Sequence, residues 1–297
     1  MSYWIDLFFF FMFDRTIFDL QKYTETILTF PLNRLSVSGL ESLSRASLAI
    51  YHMLISDSLD DIYGNRKRYL TRIKKMYALC RNHYMQQDFI TSCRMVNLMH
   101  RLASAPGLTT SRWQDECYDL VWQFVEEEKH TEEEWNMPEW LWCVACSYYP
   151  LSEEEVQEKS FCRFRKQLNT WVSELDSNGQ WIGLSIFNGF QRIHVLNGNS
   201  YMFLDNSFDY ALRSAYPYYR SQVRFEPTTD ENNLRLLGML YEQAFNYKAY
   251  QIDKESMRMA IKTLNASFPI LPERSESWLF ALSYLVSAEC LNIMNRC

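Results

Sequence analysis

Glu139-Trp140-Leu141-Trp142-Cys143-Val144-Ala145-Cys146 places apolar side chains on nearly every side of a helix, with its single acid at the start. A helix that is hydrophobic all round has to be covered on all sides, which sets it between two layers of other helices. Pro138 stands at a first-turn position, where its missing N–H costs nothing, and Pro150 marks the end. Similar stretches begin near Glu41, Asp88, Trp181, Asn232 and Glu276. The intervals are about 42 to 51 residues, and each stretch alternates with a more polar helix able to run back beside it. Because the spacing varies and the sequences do not copy one another, the repeat is architectural.

Working outward, Ser38-Gly39-Leu40-Glu41 has the Ser-x-x-Glu spacing of a capping box and opens an apolar helix running to residue 56. A turn over 57–65 leads to a polar helix over 66–82. The second pair spans 88–104 and 111–129, separated by the break Ala105-Pro106-Gly107, and the acids from Glu126 to Glu134 form an exposed link. After the third apolar helix, residues 153–175 return outside. Asp176-Ser177-Asn178-Gly179-Gln180-Trp181 then reverses the chain into an apolar helix over 183–196, followed by a return over 208–219. The last elements are 232–247 with 256–266, then 276–294, whose outer partner is the N-terminal segment.

The 297 residues are 47% hydrophobic and 16% aromatic, with only 8 Gly and 8 Pro. That composition supplies a large core and long helices and disfavours a turn-rich β protein. The expectation is an all-α single domain over 38–297, with an apolar N-terminal arm over 1–37. The arm contains Leu7-Phe8-Phe9-Phe10-Phe11-Met12-Phe13, bracketed by Asp6 and Asp14. This run falls far short of the roughly 20 residues needed to span a bilayer, so it reads as packed on the domain, with a peripheral membrane or partner contact as the alternative. Stable membrane insertion is not expected.

A net charge of −6 excludes a general electrostatic attraction to nucleic acid or anionic membrane. One basic cluster, Arg66-Lys67-Arg68 with Arg72, Lys74 and Lys75, reads either as the solvated face of an outer helix or as a phosphate-binding patch. Eight cysteines spread through predicted helices point to reduced thiols and a cytoplasmic setting.

The six-fold repeat over residues 38–294, with the turn from Asp176 to Trp181, resembles the α/α-toroid proteins. These include terpenoid cyclases, six-hairpin glycosidases and lyases, and lanthionine synthetase C-like cyclases. The last group is closest in length and single-domain character, and the Asp176–Trp181 turn looks like the Gly-x-Trp turn that often precedes an inner helix in such rings. The resemblance implies an (α/α)6 toroid, with the apolar helices inside, the polar ones outside and a central cavity. It does not carry over the zinc chemistry, since no Cys of this chain is followed by His and glycine is scarce. Asp57-Ser58-Leu59-Asp60-Asp61, the nearest approach to an aspartate-rich cyclase motif, falls in a predicted outer turn.

In such a ring the acids Glu41, Asp88, Glu139 and Glu276, at the starts of inner helices, rim one mouth of the cavity. Two carboxylates can hydrolyse a glycosidic bond, one as acid and one as base or nucleophile. The same acids also suit the positive end of any helix, wherever it occurs. Asn188, Gln191 and Arg192 share one face of an otherwise apolar inner helix, and Trp181 covers its start. Arg192 can hold a carboxylate or phosphate with a bidentate fork, and these four residues are the preferred ligand-binding locus. Cys143 and Cys146 form Cys-x-x-Cys in mid-helix, where buried thiols are the expectation in preference to a metal site. No metal or cofactor is expected.

Three functions follow. The first is an accessory toroid recognising a peptide or protein partner in its cavity, in a peptide-modification pathway as the resemblance implies. The second is a metal-independent carbohydrate-active hydrolase or lyase using rim carboxylates. The third is an open helical scaffold, in which the first and last hairpins do not touch.

Overall fold

A computed structural model describes residues 19–56, 66–103, 220–246 and 253–294, with further positions at 105, 116, 119–120, 122–124, 131–135, 140 and 143. Among these residues every regular element is helical and no strand occurs, so the fold class is all-α. The longer helices are α1 (Leu20–Thr29), α2 (Val37–Ser56), α3 (Arg66–His83), α4 (Phe89–Ala103), α5 (Glu231–Asn246), α6 (Lys254–Ser267) and α7 (Glu276–Met294). The expected elements over 57–65, 153–175, 183–196 and 208–219 lie outside the described residues.

Side chains supply most of the helix starts, as unsatisfied first-turn N–H groups require. Asp19 accepts from the Lys22 N–H at 3.3 Å, Asp88 from Thr91 at 3.0 Å, Asp253 from Ser256 at 3.0 Å and Ser275 from Trp278 at 3.1 Å. For α2 the expected box is corrected. Ser36 is the residue that accepts from the Gly39 N–H, at 3.2 Å, and the helix begins at Val37. Ser38 and Glu41 therefore stand inside the helix, where their side chains serve another purpose. A capping box does form at Thr131 and Glu134, each side chain accepting the other's backbone N–H at 2.7 and 3.1 Å. Its Thr-x-x-Glu spacing lies within the acidic link, where charge density masked it.

Among the described residues the most extensive interface joins α2 to α7. On α7 all six residues from Ala281 to Val286 are buried, and Leu43, Ala46, Ile50, Tyr51 and Met53 are buried on α2. This apolarity makes α7 long and hydrophobic enough to cross a membrane by length and composition, yet 67% of its most apolar window is buried against its neighbours.

Around this pair the contacts follow one order. The helix α3 packs on α2 and α4, α6 packs on α5 and α7, and α1 lies on α2, α3 and α7. Among the apolar helices, α2 touches α4, and α7 touches α5. Beyond α4, Trp140 packs against Phe89 with ring centroids 5.7 Å apart, and the Cys143 thiol donates to the Cys93 carbonyl at 3.3 Å. Phe124 sits edge-on to both Tyr84 and Trp140, at 5.7 Å from each, and Arg81 pairs with Glu116.

The segment expected as an arm contains α1. Tyr23 meets Phe268 edge-on at 5.4 Å and Trp278 at 6.1 Å, so this stretch covers the end of the last hairpin. Across α1 and α3, Arg68 holds Glu25 through both guanidinium nitrogens, with Nη2 2.8 Å from Oε2. Arg72 reaches from α3 to the Phe30 carbonyl.

Candidate functional site

The described rim acids are committed to helix ends and helix pairing. Arg94 of α4 donates from Nε to Glu41 Oε1 at 3.0 Å and from Nη2 to Oε2 at 2.6 Å. The same Nη2 donates to the Ser38 hydroxyl at 2.8 Å. A bidentate guanidinium–carboxylate pair fixes direction as well as distance, and this one, half-buried, ties the first apolar helix to the second. Asp88 caps α4, and hydrogen bonds from the Thr91 side chain and backbone hold its carboxyl below the usual range. Glu276 stands exposed in the first turn of α7, where a negative charge opposes the positive end of the helix. Glu139 lies outside the described residues.

The preferred ligand locus, Asn188, Gln191, Arg192 and Trp181, also lies outside them. A different polar feature is present at the seam where α7 meets α2 and α5. The Arg45 guanidinium of α2 lies 4.1 Å from the centre of the Tyr284 ring and donates from Nη1 to the Ser283 hydroxyl at 3.1 Å. Ser283 in turn donates to the Phe280 carbonyl at 2.7 Å. Tyr284 is edge-on to Phe280 at 5.0 Å and to Tyr241 of α5 at 6.0 Å. A cation over an aromatic face is attracted by the ring's negative quadrupole, more strongly as water is excluded. Sequence reasoning missed Arg45. The available signal was a lone cation in the apolar run of α2, four residues after Glu41.

Gly238 makes this seam possible. A Cβ there would lie 2.5 Å from Tyr284 Cε2 and 2.9 Å from Phe280 Cζ, so the bare backbone is what lets the two rings reach α5. Two other aromatics of the apolar helices, Trp140 and Trp278, are packing residues. Trp140 is fully buried, and Trp278 stacks on Phe268 at 5.1 Å.

Cys143 is a buried thiol bonded to the Cys93 carbonyl and to Asn97 Oδ1, each at 3.3 Å, while Cys146 lies outside the described residues. Cys80, Cys93 and Cys290 are likewise free and buried, and burial pushes the Cys80 thiol up to about 12. Thiols so raised are neutral and poor nucleophiles. Among the described residues no group of three or more His, Cys, Asp or Glu gathers as metal ligands would. Comparison with known protein families, with curated proteins and with solved structures finds no match for this chain.

Proposed function

We propose that six helical hairpins close into an α/α-toroid and that the protein acts by binding a peptide or protein partner in its central cavity. The observation that carries this reading is the packing of α7 on α2, the last apolar helix on the first. In a closed ring those two are neighbours, and in an open array they stand at opposite ends. The remaining described contacts also join elements adjacent in ring order: first to second, second to third through Cys143 and Trp140, and fifth to sixth. The open-scaffold reading draws no support from them.

Binding is preferred to carbohydrate chemistry because Glu41 is held by Arg94 and Asp88 caps α4, uses that need no substrate. Within the proposed ring, Asn188, Gln191 and Arg192 form the recognition face, and Arg192 takes an acidic or C-terminal carboxylate. In the compact lanthionine synthetase C-like arrangement, such a protein would serve peptide modification as an accessory without zinc.

A displayed random-peptide library, selected on the purified protein, tests this reading. One sequence class carrying a carboxylate should enrich, and Arg192→Ala should weaken its binding at least about tenfold, the loss of a charge-assisted pair. Failure of any class to enrich, or unchanged affinity in a folded Arg192→Ala protein, contradicts it.

A further inference from the structure

The helix α1 lies over the seam where α7 packs on α2, touching both of them and α3 as well. On one side Tyr23 meets the stacked pair Phe268 and Trp278, edge-on at 5.4 and 6.1 Å, which ties α1 to the last hairpin. On the other side α3 holds it by its backbone. The buried Tyr69 hydroxyl donates to the Thr24 carbonyl at 3.2 Å, and Arg72 donates to the Phe30 carbonyl just past the end of the helix. A cation there also faces the negative end of the helix dipole. Every residue carries a carbonyl, so these two bonds depend little on which side chains α1 bears, whereas the contact to the last hairpin needs the Tyr23 ring.

The hold on α1 is light. Of its ten residues only Leu20, Thr24 and Ile27 are buried, against twelve of nineteen in α7. An element with few buried apolar contacts opens at a lower free energy than the core beneath it. The Glu25–Arg68 pair adds little, because both side chains are well exposed. A groove of about 340 Å³ lined by Leu28 of α1 and by Lys67, Thr71 and Arg72 of α3 runs along this edge, so polar contacts hold more of it than close packing does.

We propose that α1 is a strap across the seam between the first and last apolar helices: it detaches before the rest of the fold, and its detachment loosens the packing of α7 on α2. Tyr23 is the clasp. Without it Phe268 and Trp278 lose the ring that joins them to the first hairpin, while α1 stays on α3 through Tyr69 and Arg72. The strap uses none of the residues assigned to partner binding, so it and the peptide assay with Arg192→Ala can fail independently.

Hydrogen exchange of the full chain, followed by mass spectrometry, tests the strap with Tyr23→Ala, Tyr23→Phe and Glu25→Gln. In the unmodified protein the amides of α1 should exchange at least about tenfold faster than those of α2 and α7. Loss of the aromatic contact in Tyr23→Ala should speed exchange in α2 and α7 about tenfold and leave α4 at its parental rate. Tyr23→Phe keeps the ring and should restore the parental pattern, and Glu25→Gln should match the parent. Protection of α1 equal to that of α7 would overturn the proposal, as would faster exchange confined to α1 in Tyr23→Ala. An equal rise in every helix, α4 included, or failure of Tyr23→Ala to fold, would overturn it too, because α1 would then belong to one cooperative unit with the core.

Discussion

Gly238 shows how one residue can be fixed by its neighbours and not by its helix. Alanine is the better helix former by about 1 kcal/mol, so at an exposed position the exchange would stabilise α5. At 238 the added carbon would stand 2.5 Å from one aromatic ring and 2.9 Å from another, and a packed ring cannot step aside as a flexible chain end can. Overpacking of this kind costs about 1 to 3 kcal/mol. Gly238→Ala is therefore expected to lower stability by up to about 2 kcal/mol in urea unfolding, and a variant more stable than the parent would refute the close approach. Nothing in the sequence around 238 announces it, because the rings come from α7. Glu41 teaches the same point from the other direction. Its position three residues after Ser38 reads as a cap, but the carboxylate answers Arg94, which is 53 residues away.

Elements were more legible than partners. The apolar period and the capping acids locate α2, α4, α5, α6 and α7 to within a residue or two, because burial of one face and satisfaction of first-turn N–H groups are local demands. The helix α1 was hidden within the expected arm because only Leu20, Thr24 and Ile27 are buried on it, a stripe too narrow to stand out beside its charges. Its pairing with the last hairpin was nevertheless readable from the count of inner and outer segments.

At the same scale α2 and α4 each carry a histidine with a depressed pKa. Desolvation lowers His52 to about 4, and desolvation with the nearby Arg101 charge lowers His100 to about 4, from a usual 6.5. Below pH 6.5 the unfolded chain takes up these protons while the folded helices resist them until about pH 4. Stability from both residues is thus complete above pH 6.5 and is lost as pH falls from there towards 4. Each histidine contributes at most about 1.4 kcal/mol per pH unit, and less here because both keep some surface in water. Urea unfolding should show stability falling between pH 7 and 5, with a shallower fall for His52→Gln/His100→Gln. A flat or rising profile for the parent protein would contradict this assignment.

For the whole molecule, order of contact matters more than any single contact. Sequence periodicity can propose six hairpins, but whether the last reaches the first depends on small rotations accumulated at every interface, which no local pattern encodes. The α2–α7 interface is the observation from which closure is proposed, and Arg45 with Tyr284 is a specific pair within it. The Asn188-to-Arg192 face was legible only as a polar stripe, and the partner it would recognise lies beyond what residue spacing can specify. The basic cluster on α3 is plain in the sequence, whereas its packing beside Leu28 of α1 and the burial of Arg72 arise only from the fold.

Closure is tested most directly by a double-mutant cycle across that interface, with Arg45→Met, Tyr284→Leu and the double variant compared by urea unfolding. A half-buried cation over an aromatic face is worth about 1 to 2 kcal/mol, and a coupling energy of that size is the result expected if the first and last apolar helices pack together. Additivity within about 0.3 kcal/mol, as for sites that do not touch, would contradict it.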